Sequence, residues 1–364
     1  MRTRAAVVID AEDRRFSIET IETREPQPHD AVVAIDAAAF CYSDWIAMNG
    51  DAEVRAPGIH PMVLGHSAVG TIAGGGSESR HRTGQRVLIT ATPECGTCYW
   101  CVRGRIDQCE KLFVPAPVAG TLADGREVRA PGHTGAYAQL ATIRDIQVFP
   151  VDSELPDEWL AMFGCGIVSG MGAVVNVARV EPGSTVAVVG CGQVGLWMIQ
   201  AARILGAEQI IAVEPLPARR ALAQRVGATA AVDPAEVDPV DAVRELTGGV
   251  RADYGFDAGG SAEAVRTAFL STRNGGVTTL TTYVARLAEV SLPLFELANR
   301  GRDVRGSQSG RIDMTRDIAR FTRMLESGLV DVEAMIGGVH ALADINDALA
   351  ASRDRAEVTP IVVP

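Results

Sequence analysis

Apolar and polar positions follow two different patterns along this chain. In the second half, short apolar runs alternate with segments of helical period. Thr185–Val189 reads as a strand, Gln193–Leu205 as a helix, Ile210–Val213 as a strand and Ala218–Arg225 as a helix. Further strands are expected at Tyr254–Asp257, Gly276–Thr282 and Asp303–Arg305. Strand–helix alternation predicts a parallel sheet built from βαβ units. The first 150 residues carry no such alternation. There, Ala31–Ala39 and Gln85–Thr90 are apolar runs, and Pro57-Gly58, Gly74-Gly75-Gly76 and Pro131-Gly132 punctuate the rest. That texture predicts a β-rich, irregular region. The tail reads as helices at Thr315–Leu325 and Ala343–Ala351, then a strand at Val358–Val363. The fold class is therefore α/β, a doubly wound parallel sheet with a β-rich domain beside it. No internal repeat or low-complexity segment interrupts it.

Two uncharged runs, Trp159–Ala178 and Pro182–Ala202, reach the length of a membrane span, which needs about 20 apolar residues. Their glycines and the Arg179/Glu181 break argue against spans, and a strand, turn and helix account for the second run. The first ten residues hold five consecutive apolar positions, short of the roughly 7–15 of a signal peptide. The expectation is a soluble, cytoplasmic chain with no membrane partner. Its 364 residues suggest two domains, and its formal charge of −11 makes nucleic acid an unsuitable partner. Only Lys111 among the 34 basic residues is lysine, which reads as a compositional bias. Seven cysteines in a reducing compartment point to metal ligands before disulfides.

Four of them, Cys95, Cys98, Cys101 and Cys109, follow a C-x2-C-x2-C-x7-C spacing. Such spacing suits a tetrahedral zinc wrapped by one loop. An iron–sulfur cluster is the main alternative, although the ferredoxin run has a shorter last gap and a proline after it; here Glu110 follows. A site closed by four thiolates has no open position for chemistry, so its role is structural.

Gly190-Cys-Gly192-Gln193-Val194-Gly195 sits between the strand Thr185–Val189 and the helix that follows. In that position a GxGxxG run is the dinucleotide-binding turn of a Rossmann domain, with the pyrophosphate at the helix N-terminus. A glycine turn serving packing alone is the plain alternative. Glu214 lies 19 residues after Gly195 at the end of the next strand. There it would accept from ribose hydroxyls and repel a 2′-phosphate, favouring NAD(H). Arg219 and Arg220 temper that preference, since a nearby arginine can welcome a phosphate. Cys191 reads as a small packing residue.

Cys41, His66 and Cys165 remain, each unremarkable alone. Cys41 opens Cys41-Tyr-Ser43-Asp44, His66 follows Gly65, and Cys165 lies in Gly164-Cys165-Gly166. Together with the four-cysteine lobe and the glycine turn, these motifs resemble the zinc-dependent medium-chain alcohol dehydrogenases over the whole length of the chain. The likeness points to the class I, class III and aryl-alcohol branch. It implies a GroES-like catalytic domain from 1–166 with 310–364, and an NAD-binding domain at 167–309. It implies that Cys41, His66 and Cys165 hold a catalytic zinc, a known ligand set with one open position. With the lobe, that makes two zinc ions per chain. Asp44 resembles the carboxylate that orients the histidine, and Ser43 the hydroxyl that relays the alcohol proton. The reaction implied is hydride transfer between NAD(H) and a primary alcohol or its aldehyde. The family also implies a homodimer or homotetramer, with Tyr283–Leu294 as the place to look for pairing.

Five positions depart from the family pattern. Ser67 stands where a glutamate usually follows the histidine, and Tyr42 where many relatives carry a basic residue. Thr359 replaces an arginine of some relatives, Ile46 a histidine ending the proton relay, and Ala91 an aromatic. The loss of glutamate motivates a second reading: the same fold without the catalytic zinc, reducing a C=C or C=N bond. A third reading is a non-catalytic nucleotide-binding relative. His29, His60, His81, His133 and His340 show no ligand spacing, and His133 alone falls in a segment resembling a loop near the active site.

Overall fold

A computed structural model describes residues 1–10, 12–48, 59–90, 94–111, 116–281 and 288–364. The chain divides into two compact units. The first comprises Met1–Cys165, Asp313–Arg323 and Ile336–Pro364, and the second Gly166–Ile312 and Met324–Met335. The sequence predicts that all of 310–364 returns to the first unit. Gly166 and residues 310–312 and 324–335 instead group with the second, where Asp331 is tied. Its N–H donates to Gln200 Oε1 at 2.7 Å, and its carboxylate pairs with Arg225 at 2.9 Å.

The first unit is more regular than its glycines and prolines suggested. Among the described residues, Arg2–Val8, Ser17–Thr23, Val118–Thr121, Glu127–Arg129 and Met62–Val63 close a small barrel. A seven-stranded sheet adjoins it, centred on Asp30–Ala39 and Ser67–Gly75. The strand Arg2–Val8 was missed because its end, Ala-Ala-Val-Val, shows no alternation. Successive residues of a strand face opposite sides. Ala5 and Val7 enter the barrel core, while Ala6 and Val8 join the main core with Phe16, Phe40 and Tyr137. Both faces are buried, so both are apolar.

The second unit holds a six-stranded parallel sheet among the described residues. Its order is Ala230–Val232, Gln209–Val213, Thr185–Val189, Ala252–Asp257, Thr272–Leu280, Asp303–Gly306. In chain order that is 3-2-1-4-5-6, the doubly wound dinucleotide-binding arrangement. The first strand is buried along nearly its whole length, as expected where helices cover both faces of a parallel sheet. Thr282, at the end of one expected strand, lies outside the described residues. The helices Pro239–Leu246 and Ala262–Ser271 were not expected; Asp238 and Ser261 cap them. The closing strand is shorter than read, Ile361–Val363. Pro360 before it lacks the N–H that pairing would need.

The uncharged run Trp159–Ala178 is a series of short helical turns, including π-type turns at Phe163–Ile167 and Ala173–Ala178. Among the described residues no helix is long and apolar enough to cross a membrane.

Candidate functional site: a three-ligand centre, a cysteine lobe and a glycine turn

Three separate elements of the first unit bring Cys41, His66 and Cys165 together, with one ligand atom of each within 4.8 Å of the others. Cys41 lies two residues beyond the strand Asp30–Ala39 and directly precedes the short helix Tyr42–Met48. Asp44, one turn on, accepts from the Cys41 N–H at 3.2 Å and so fixes the turn. His66 lies just before the strand Ser67–Gly75. Gly65 makes that approach possible: its φ is +89°, and a Cβ there would sit 2.8 Å from the Tyr137 ring and backbone. Cys165 occupies the π-type turn Phe163–Ile167, a rare geometry often found at functional positions. Two hydroxyls tie that turn, and the helix end just before it, to the sheet. Ser67 Oγ donates to the Ala161 carbonyl at 2.6 Å, and Thr90 Oγ1 to the Gly164 carbonyl at 3.0 Å. Gly164 allows the contact, since a Cβ there would stand 2.3 Å from the Ile89 carbonyl oxygen.

The geometry fits zinc. Sulfur atoms at about 2.3 Å from a tetrahedral ion stand roughly 3.8 Å apart, and Cys41 Sγ lies 3.6 Å from Cys165 Sγ. His66 turns Nδ1 toward Asp44 Oδ1 at 3.1 Å, which leaves Nε2 on the thiolate side. A carboxylate on one ring nitrogen is the common partner of a metal-bound histidine. The hydrogen bond from Cys165 holds the Cys41 thiol well below its ordinary value, against burial and with help from His66. Burial works against charge on His66, but Asp44 and Cys41 lift it to about 10. Burial likewise opposes ionisation of Asp44, and His66 and Tyr137 overcome it. The thiolate is the form that binds metal. Ser43 Oγ sits 3.1 Å from Cys41 Sγ and 3.4 Å from His66 Nε2.

The lobe brings Cys95, Cys98, Cys101 and Cys109 together, again within 4.8 Å. Cys95 Sγ and Cys101 Sγ are 4.0 Å apart. Backbone amides point at the sulfurs: Cys98 N–H donates to Cys95 Sγ at 3.3 Å, Cys95 N–H to Cys109 Sγ at 3.3 Å and Lys111 N–H to Cys109 Sγ at 3.4 Å. Hydrogen bonds from the backbone and side chain of Thr97 bring Cys95 down to about 6, while burial pushes Cys101 up to about 12.

In the second unit, Gly192 caps the helix Gln193–Ile204 with no side-chain hydrogen bond. Gly192 has no side chain to offer the first N–H groups of that helix, which an intrahelical partner also cannot reach. A Cβ on Gly192 would meet nothing within 4 Å, whereas one on Gly195 would stand 1.9 Å from the Gly190 carbonyl oxygen. Gly195 is a packing glycine, and Gly192 faces open space where an anion can approach the amides. Glu214 is buried, its carboxylate accepting from the N–H groups of Cys191 at 2.7 Å and Leu216 at 3.0 Å. Arg219 is buried near it, and Arg220 pairs with Asp233 at 2.8 Å. Burial and the Glu214 charge push the Cys191 thiol far up, so it stays a neutral packing group.

These features coincide with what the chain is similar to. Residues 194–327 match a family model described as zinc-binding dehydrogenase, and residues 27–157 one described as alcohol dehydrogenase GroES-like domain. A probable S-(hydroxymethyl)glutathione dehydrogenase of Schizosaccharomyces pombe is 32% identical, over 95% of this chain and 92% of its own. The chain belongs to the zinc-dependent medium-chain alcohol dehydrogenase family. Its members are oxidoreductases, and the fold follows them closely. Myxine glutinosa class-3 alcohol dehydrogenase is 30% identical, over 95% of this chain and 93% of that one. A Burkholderia ambifaria alcohol dehydrogenase zinc-binding domain protein superposes with a TM-score of 0.94 at 30% identity, covering 100% and 99% of the two chains. Benzyl alcohol dehydrogenase of Acinetobacter calcoaceticus gives 0.91 at 26%, with the same coverage.

Tyr137 escaped the sequence reading. Its hydroxyl donates to Asp44 Oδ2 at 2.8 Å from a fully buried position. One signal was available: a polar-tipped ring in Gly135-Ala-Tyr137-Ala, an apolar stretch where a buried hydroxyl needs a partner. The five other histidines do not join the ligand set; His81 and His340, for instance, face Asp145 and Glu357. Ala91, and 112–115 of the loop Leu112–Thr134 that would shape a substrate pocket, lie outside the described residues.

Proposed function

We propose that the chain is a dehydrogenase using two zinc ions and NAD(H) to interconvert a primary alcohol and its aldehyde. The observation that carries this reading is the Cys41/His66/Cys165 set. Two thiol sulfurs stand 3.6 Å apart, and an imidazole is turned toward them by Asp44. Zinc in that set would act as a Lewis acid, acidifying an alcohol or polarising an aldehyde. Asp44 holds the His66 ring in the tautomer whose Nε2 is free for metal, a positioning role. Ser43 Oγ accepts the alcohol proton and passes its own onward. Ile46 offers no acceptor there, so the onward route runs through water or a cofactor ribose. The N-terminus of the helix Gln193–Ile204, behind the glycine turn, would hold the pyrophosphate, and the nicotinamide would carry the hydride. The Glu214 carboxylate at the end of the second strand would receive ribose hydroxyls and disfavour NADP(H).

The four-cysteine lobe takes the second, structural zinc. All seven thiols are unbridged, which suits the cytoplasm. The assembly is proposed as a homodimer or homotetramer. Leu294 and Phe295 support it, adjacent apolar side chains exposed at 76% and 58%. In the expected pairing segment Tyr283–Leu294, residues 283–287 lie outside the described residues.

The test is metal counting and turnover together. Elemental analysis of protein purified without chelator gives close to two zincs per chain, and one in Cys165→Ala. A panel of primary alcohols and aldehydes, benzyl alcohol and the glutathione–formaldehyde adduct included, shows NAD-linked turnover. Gly192→Ala raises KM for NAD while leaving the fold intact. One zinc in both proteins, with reduction of a C=C or C=N bond, replaces this reading with the zinc-free reductase. Two zincs with no turnover of any substrate leaves a nucleotide-binding relative.

A further inference from the structure

Asp44 is 1% exposed and receives three donors. Its Oδ1 faces His66 Nδ1 at 3.1 Å. Its Oδ2 takes the Cys41 N–H at 3.2 Å and the Tyr137 hydroxyl at 2.8 Å. A buried carboxylate needs such donors to stay ionised and to keep one orientation. The backbone bond to Oδ2 is the longer of the two, so the hydroxyl is the firmer anchor. Tyr137 is itself held on every side. Its ring stacks on Phe40 with centroids 5.5 Å apart and planes 10° apart, and meets Phe16 edge-on at 5.8 Å. Its N–H donates to the Leu64 carbonyl at 3.0 Å, and its carbonyl accepts from Ala6 N–H at 2.8 Å. The ring also closes over Gly65, next to His66.

From this geometry we infer that Tyr137 is a positioning residue for the metal centre, acting through Asp44 on His66. The inference rests on the reading of Cys41, His66 and Cys165 as a metal site. The rigid ring carries the hydroxyl to Oδ2, the hydroxyl selects Oδ1 for His66, and Oδ1 fixes the plane in which Nε2 meets the metal. The chain of contacts joins a hydrophobic core residue to a ligand 71 positions earlier in sequence. One competing acceptor exists: the Ala39 carbonyl lies 3.4 Å from the same hydroxyl. A single O–H proton goes to the nearer, charged oxygen. Partners of this kind change metal affinity by roughly 10–100-fold when removed directly. One step further out, Tyr137 falls at the low end, about tenfold.

The experiment uses full-length protein loaded with Co²⁺, whose visible bands report ligand geometry, and follows metal release to a chelator. Tyr137→Phe keeps the stacked ring and removes the hydroxyl. It shifts the bands of the three-ligand site and speeds release from it about tenfold, leaving the four-cysteine site unchanged. In an Asp44→Ala background, which removes the group joining the hydroxyl to His66, the same substitution changes release by less than about twofold. Equal effects in both backgrounds, or unaltered bands and release with only a lower melting temperature, overturn the inference and leave Tyr137 a packing residue. A wild-type chain taking one cobalt, at the lobe alone, overturns the metal reading and the inference with it.

Discussion

Two cysteine-bearing regions of the first unit reach the same ligand spacing by opposite routes. The lobe draws its four thiols from fifteen consecutive residues, Cys95 to Cys109. Tight turns and three backbone N–H groups aim the sulfurs, and Cys95, Cys98 and Cys101 remain partly exposed. The other centre draws its ligands from positions 41, 66 and 165. Side chains orient it: Asp44 and Tyr137 behind His66, Ser67 and Thr90 behind the turn of Cys165. A local loop can wrap an ion with little help from the rest of the fold. A three-ligand centre must have its missing fourth position kept open and its ligands held by surrounding structure, as catalytic zinc requires.

That contrast can be broken by substitutions with different signatures. Cys165→Ala has the largest effect, abolishing one zinc and cutting kcat/KM by roughly a thousandfold, since the metal supplies several kcal/mol of charge stabilisation; turnover with excess zinc checks it. Asp44→Asn keeps the shape but loses the negative partner of His66. It weakens metal retention or activity by roughly 10–100-fold, read by release to a chelator. Cys98→Ala leaves the chemistry in place and removes the lobe zinc. The expected loss is more than about 4 kcal/mol, or a Tm lower by more than roughly 8 °C by calorimetry. Equal loss of turnover in Cys98→Ala and Cys165→Ala would erase the distinction between the regions. Ser67→Ala gives the smallest change. Losing the bond to the Ala161 carbonyl costs about 1 kcal/mol, equivalent to roughly fivefold faster zinc release from the three-ligand centre. Release from the lobe stays as in wild type.

Ser67 also gives a physical setting to one departure from the family. It stands where relatives usually carry glutamate, and here it is 1% exposed and pinned under Gly164. A Cβ on Gly164 would come within 3.0 Å of Ser67 Oγ. The small residue and the close-packed π-type turn therefore go together, and the hydroxyl serves packing of the ligand turn.

Legibility in the sequence followed locality. The C-x2-C-x2-C-x7-C run and the glycine turn could be read because the chemistry and its geometry lie within a few residues of each other. The parallel sheet was readable because a strand covered on both faces is apolar throughout, and helices of period 3.6 separate the strands. The barrel strand Arg2–Val8 defeated the same logic, because two different cores bury its two faces. Glu214 was found by its distance from Gly195, but its hold on the Cys191 and Leu216 amides was not. Cys41, His66 and Cys165 were singled out through resemblance to a family, since no spacing links positions so far apart.

By itself, then, the sequence determined what short-range chemistry can encode: the lobe, the glycine turn before its helix, and the alternation that builds a doubly wound sheet. Tertiary structure decided the rest. It brought three distant ligands within 4.8 Å of one another. It folded a π-type turn under two hydroxyls, and it set a core tyrosine behind the carboxylate that turns His66. Such contacts are made across sheets whose pairing no local pattern specifies, and the ring stack and the buried hydrogen bonds exist only once those sheets have closed.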